Sequence, residues 1–205
     1  MSIYSLSLKI RRFFVLLVLL LRRSAAVVSS FFLGGEKCLC CDKNSSLSLC
    51  KNCITSFISY KSYSSRCKVC GKELISEIDI CSSCKNERVL FSCDGVFPVH
   101  PYRLWKKNLL FAWKTEEKRL LSPLFAKTVF KNLVSFCNLK NEGKMLPVVP
   151  VPPRPGKIRQ KGWDQIEELT FYMKTLFFVQ VFPVLRRLSK KQQKKLGRTK
   201  RLIQA

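Results

Sequence analysis

The sequence predicts an α/β chain that opens with a double zinc ribbon and continues into a mixed strand and helix region. Three observations carry this expectation. Four Cys-x-x-Cys pairs, Cys38/Cys41, Cys50/Cys53, Cys67/Cys70 and Cys81/Cys84, crowd into one stretch. Behind them the apolar residues recur three and four apart, the helical period. An apolar run at residues 145–151 then leads through a basic, glycine-bearing loop to a helix start at Asp164. The 205 residues leave room for one ordinary domain and a small one. Composition divides them into an apolar and basic helix at 1–35, the cysteine module at 36–90 and the α/β region at 91–205.

Two residues between two cysteines let both sulfurs face one ion, and two such pairs supply the four thiolates of a closed tetrahedral Zn²⁺ site. Eight thiolates leave no open coordination position, so both zinc ions are expected to be structural. A secreted disulfide scaffold would be a small cysteine-rich chain, whereas here a long basic segment follows Cys137. A thioredoxin-like motif needs one pair beside a βαβ unit, not four in series. Eight residues separate Cys41 from Cys50 and ten separate Cys70 from Cys81, against thirteen between Cys53 and Cys67. The shorter loops favour two consecutive ribbons, with a cross-braced arrangement as the alternative. Gly71, after Cys70, suits a metal knuckle; Cys40 lies inside the first pair as a competing ligand, and Cys93 and Cys137 read as small buried hydrophobes. A module this small lacks a sufficient core, so zinc is expected to supply on the order of 10 kcal/mol of folding free energy per site.

At the front, residues 13–21 are nine apolar residues between Arg11-Arg12 and Arg22-Arg23. That run is well short of the roughly 20 needed to cross a bilayer. No small-x-small cleavage site follows it, so a cytoplasmic protein is expected, its first 33 residues a helix on its own body or peripheral at the inner membrane face. After the cysteines, residues 91–99 read as an edge strand ending at Pro98 and Pro101, and residues 102–113 and 120–136 as amphipathic helices. Residues 145–151 read as a buried strand. The loop at 152–162 carries Arg154, Lys157, Arg159 and Lys161 and no acid, and Glu167 and Glu168 sit in the first turn of the helix beyond, where the dipole favours them. Strand, basic loop with Gly162, and helix start together make a phosphate-binding geometry. His100, the only histidine, reads as a turn residue, and no hydrolytic constellation stands out.

The chain carries 38 Lys and Arg against 13 Asp and Glu, a formal charge of +25. Eight bound thiolates and two Zn²⁺ would lower this only to about +21. A field of that sign draws polyanions, and residues 186–201 add nine basic residues with no acid. Trp105, Trp113, Trp163 and Tyr172 stand among the cations; Trp113 falls on an apolar helix face, and Trp163, beside Gly162, is the better platform for stacking bases.

The pairs, Tyr102-x(11)-Lys114, the stretch from Pro150 through Arg159 to Gly162-Trp163-Asp164-Gln165, Leu185-Arg186-Arg187 and Gln192-Gln193 together resemble the ComF (ComFC) family over about residues 20–205. The resemblance implies a zinc-binding front module joined to a phosphoribosyltransferase-like α/β domain. It also implies a role in handling single-stranded DNA taken up in natural transformation, beside helicase or recombination proteins. Arg154, Lys157, Arg159, Lys161 and Gly162 would then hold a phosphoribosyl ligand such as phosphoribosyl pyrophosphate. Trp163, Arg186, Arg187, Lys190, Lys191, Lys194, Lys195 and Arg198 would meet DNA. Where that family has Arg-Gly-Phe-Asn-Gln, this chain has Lys161-Gly162-Trp163-Asp164-Gln165, which loses a bidentate fork and adds a carboxylate. The family's acidic pair and ribose-phosphate loop have no counterpart before Ala205, so the domain reads as incomplete and inactive in transfer by itself. Three functions follow: a DNA-uptake protein, a phosphoribosyltransferase, and a membrane-associated zinc-ribbon adapter.

Overall fold

The computed structural model describes residues 3–32, 34–59, 65–87, 93–140 and 143–188. Helix α1 (Ile3–Phe32) leads into a hairpin of β1 (Glu36–Lys37) and β2 (Asn44–Ser45), then α2 (Lys51–Ser59) and α3 (Ser82–Asn86). Next come α4 (Leu104–Lys114), a 3₁₀ turn at Arg119–Leu121, α5 (Ser122–Lys140), the single-turn α6 (Lys157–Lys161) and α7 (Gln165–Phe177).

Helix α1 is longer than its uninterrupted apolar run suggested. Arginine is a good helix former, so Arg22-Arg23 leave the helix unbroken, and Ser7–Phe32 is long and apolar enough to cross a membrane by length and composition. Helices α4, α5 and α7 fall where the period placed them. Their packing is aromatic: Trp113 stacks on Phe125 at 4.3 Å, Phe125 meets Phe57 of α2 edge-on at 5.5 Å, and Phe130 stacks on Phe177 at 4.4 Å.

The strands fare differently. Among the described residues the only sheet is the β1–β2 hairpin, with Glu36 opposite Ser45 and Lys37 opposite Asn44. The run at 145–151 makes one parallel bridge, Val148 to Val181, through Val148 N–H to the Gln180 carbonyl (2.9 Å) and Phe182 N–H to the Val148 carbonyl (2.9 Å). Pro147 and Pro150 have no N–H to donate on either side, so the ladder stops at one residue. The expected edge strand at 91–99 is also missing over residues 93–99, which run without regular structure. The observed architecture is therefore helical with a very small sheet, and the parallel sheet of an α/β domain is not present among the described residues.

The core falls into three parts. Cys38, Leu49, Cys53 and Phe57 share one with Leu109, Ala112, Trp113, Leu121 and Trp163, so the first cysteine cluster is built into the helical body. Ala126, Tyr172, Met173, Val179 and Val181 make a second between α5 and α7, onto which α1 packs Val15 and Leu19. Cys67, Leu74 and Cys81 make a third, confined to the second cluster. A relay ties the first part together: Trp113 Nε1 donates to Ser122 Oγ (2.8 Å), which donates to Glu168 Oε2 (2.8 Å), while Arg119 Nε donates to Glu168 Oε1 (3.2 Å).

Candidate metal centres and the basic loop

The eight paired cysteines gather as two groups, Cys38, Cys41, Cys50 and Cys53, and Cys67, Cys70, Cys81 and Cys84, with the four Sγ atoms of each within 4.8 Å of one another. Neighbouring pairs share a centre, as the loop lengths favoured, and the cross-braced pairing does not occur. Four sulfurs at the Zn–S length in a tetrahedron stand roughly 3.8 Å apart. The Cys41–Cys50 separation is 3.8 Å and the Cys70–Cys81 separation 3.7 Å. Each group can therefore take one zinc ion with little movement. Cys40, half-buried, stands outside the four-sulfur group.

The two centres are built alike, residue for residue. Cys38 N–H donates to the Lys43 carbonyl and Cys67 N–H to the Lys72 carbonyl, both at 2.9 Å. Asp42 N–H closes onto the Cys38 carbonyl at 3.0 Å, and Gly71 N–H onto the Cys67 carbonyl at 2.9 Å. Both turn residues have positive φ, 57° for Asp42 and 71° for Gly71. Across each centre, Cys50 N–H points at Cys38 Sγ and Cys81 N–H at Cys67 Sγ, both at 3.4 Å. Cys50 and Cys81 each immediately precede a helix that carries the fourth ligand, Cys53 or Cys84.

These N–H groups set the thiol chemistry. Burial disfavours a charge on Cys38, but the backbone N–H groups of Cys50, Cys40 and Cys41 outweigh it and bring the thiol down to about 6. At Cys67 the N–H groups of Cys70 and Cys81 bring the thiol to about 6 as well. Burial and neighbouring sulfurs push Cys84 up to about 12, and push Cys53 up too. Each group thus offers one ready thiolate, and a divalent cation is what would let the raised thiols Cys53 and Cys84 ionise beside it.

The second centre has an outer wall. A Cβ on Gly71 would meet Pro98 Cδ and the Val96 carbonyl oxygen at 2.6 Å, and one on Gly95 would meet the Lys68 carbonyl at 2.8 Å. Segment 95–98 therefore lies against the knuckle, and Phe97 joins it to Phe136 of α5 at 4.4 Å. Glu73 accepts from Arg66 (3.2 Å) and Arg103 (2.7 Å) alongside.

The basic loop is arranged otherwise than its composition implied. Lys157 Nζ pairs with Asp164 Oδ2 at 2.5 Å and also donates to Gln165 Oε1. Lys161 lies 3.5 Å from Glu117, and Arg154 donates to Gln160 Oε1 at 3.3 Å. Gly162 N–H is spent on the Ile158 carbonyl at 2.7 Å. At the start of α7, Asp164 Oδ1 accepts from the N–H groups of Ile166 (2.8 Å) and Glu167 (3.2 Å), so the cap side chain is the anion that the helix terminus favours. The adjoining cavity, about 480 Å³, is lined by the acids Asp164, Glu167 and Glu168 and by the cations Arg22 and Arg119, so its lining is mixed in charge rather than basic. Of the residues placed in the phosphoribosyl clamp, Arg159 is exposed.

Trp163 is 6% exposed, inside the first core with the Arg119 guanidinium over its ring at 5.7 Å. A base cannot stack on a buried face, which corrects the stacking role expected of it; Trp113 and Tyr172 are buried as well. Arg186 is exposed and Arg187 half-buried, while Lys190, Lys191, Lys194, Lys195 and Arg198 lie outside the described residues. Cys137 is buried as expected, but Cys93 is exposed. His100 stacks on Phe57 at 4.1 Å, and burial, then Lys106, lowers its pKa to about 4, so the ring is neutral at pH 7. The Trp113–Ser122–Glu168 relay went unseen, since no local pattern couples residues 46 positions apart.

No protein family, curated protein or solved structure matches the chain.

Proposed function

We propose that this chain is a cytoplasmic, zinc-clamped protein that binds single-stranded DNA through its cationic surface, in the role that its resemblance to the ComF family implies: handling DNA strands during natural transformation beside helicase or recombination proteins. The supporting observation is the charge surplus. With 38 cations and 13 carboxylates, most of the cations have no acid to pair with even if every carboxylate is used. The two tetracysteine centres serve as scaffold: with four sulfurs committed to each ion, no position is left for a reacting water. Phosphoribosyl transfer is the weaker reading, because Lys157 and the α7 N-terminus are both engaged by Asp164.

The test is fluorescence anisotropy of the zinc-loaded chain with a labelled oligonucleotide as salt is raised. Single strands lose about 0.7 log units of affinity per log unit of salt for each phosphate contacted. Several contacts should thus give a steep slope, and Arg186→Glu with Arg187→Glu should lower it by about 1.4. Affinity that stays flat across the titration refutes the reading.

A further inference from the structure

α1 carries a face that the protein itself does not cover. Its body-facing stripe is Leu8, Val15, Leu19, Ala26 and Ser30, each half-buried or buried and spaced seven and four apart. The opposite side is apolar and open: Phe13 is 64% exposed, Leu20 62%, Leu21 61% and Phe31 83%. The arginines lie on neither face. Arg11-Arg12 and Arg22-Arg23 are eleven residues apart, about three helical turns, so both pairs fall along the two edges of the body-facing stripe. Arg12 sits over the Phe178 ring at 5.3 Å, and Arg22 reaches the cavity beside Glu167 and Glu168.

We propose that α1 is an in-plane membrane helix: its outward face sinks into an anionic bilayer surface, and the two arginine rows lie at the level of the lipid phosphates with the zinc-bearing body above them. Two features select this occupant. The helix contains no acidic residue, so its edges complement anionic headgroups. A spanning orientation would draw Arg22 and Arg23 into the hydrocarbon and strip Val15 and Leu19 from the body, whereas the flat orientation keeps both contacts. Vesicle binding is measured without nucleic acid, so its failure is distinguishable from failure of the nucleic-acid reading.

The experiment is co-sedimentation of the zinc-loaded full chain with vesicles of phosphatidylcholine containing phosphatidylglycerol, and with phosphatidylcholine alone. Binding should be strong to the anionic vesicles and at least about tenfold weaker to the neutral ones. Phe13→Glu with Leu20→Glu, both exposed, should weaken binding at least about tenfold while both zinc equivalents are retained. Orientation is read from Phe13→Trp and Leu20→Trp variants quenched by lipids brominated at shallow or deep positions. Both sites should be quenched best by the shallow label. Deep quenching at Leu20→Trp means that the helix spans and overturns the proposal. So does the absence of vesicle binding, or a vesicle-free dimer that the Phe13→Glu, Leu20→Glu variant abolishes.

Discussion

Replacing Gly71 by alanine tests the wall around the second centre. The position has φ 71°, and the added methyl would stand 2.6 Å from both Pro98 Cδ and the Val96 carbonyl. The left-handed conformation costs a residue with Cβ about 1–2 kcal/mol. Overpacking a tight contact costs about 1–3 kcal/mol more, since the carbonyl cannot give way as a flexible side chain would. The sum, about 3 kcal/mol, is about two decades in an equilibrium constant. Chelator competition on the zinc-loaded protein should therefore show one of two zinc equivalents released at roughly a hundredth of the chelator activity needed for the parent, and the other unchanged. Gly162→Ala is the control: its φ is 72°, but nothing lies within 4 Å of the added methyl and no cysteine centre is near it in the chain. It should leave both zinc equivalents in place, and Gly71→Ala with Pro98→Ala should recover part of the loss. If Gly71→Ala releases zinc no more readily than the parent, the segment does not brace the centre and the reasoning fails.

Ser122→Ala removes the middle of the relay and leaves Trp113 Nε1 and Glu168 Oε2 without their shared hydroxyl in a site where Ser122 is 0% exposed. A stability loss of about 2–3 kcal/mol follows, seen as a drop of about 5–10 °C in Tm; an unchanged Tm refutes it. For His100 the folded pKa of about 4 lies below the unfolded value of 6.5, so the unfolded chain takes up the proton first. Its contribution is present in full above pH 6.5 and is lost as the pH falls toward 4. His100→Phe, which can still stack on Phe57, should be less acid-sensitive than the parent over that window in denaturant titrations; parallel stability curves would contradict this.

The cysteine pairing was legible because a short loop restricts which pairs can meet, and the helices around Trp113, Phe130 and Met173 because each repeats its apolar residues at the helical period. Asp164, which marks a helix start in the sequence, is the cap. What escaped was non-local. Trp163 looked accessible beside Gly162, yet its indole is drawn into a core assembled from the first cysteine cluster and α4, a meeting that neighbouring residues do not encode. Lys157 and Lys161 looked like free cations because their acids, Asp164 and Glu117, come from outside the loop. The apolar run at 145–151 had the composition of a strand, but its prolines limit it to one bridge. The uninterrupted apolar run understates α1, because arginines along a helix flank leave the remaining surface apolar.

The unequal embedding of the two cysteine centres would make them unequal reservoirs of metal. Withdrawing an ion bound by Cys38 and Cys53 would loosen sulfurs that share a hydrophobic interior with Leu109, Trp113 and Trp163, so the demetallated form of that half would be disfavoured by the whole body. An ion bound by Cys67 and Cys81 would sit in a smaller pocket closed by Leu74 and the 95–98 segment, tied to the body through Phe97 on Phe136. Under zinc scarcity the chain would shed its ions in sequence, giving a half-loaded species with an intact helical body and a slack outer lobe before any general collapse.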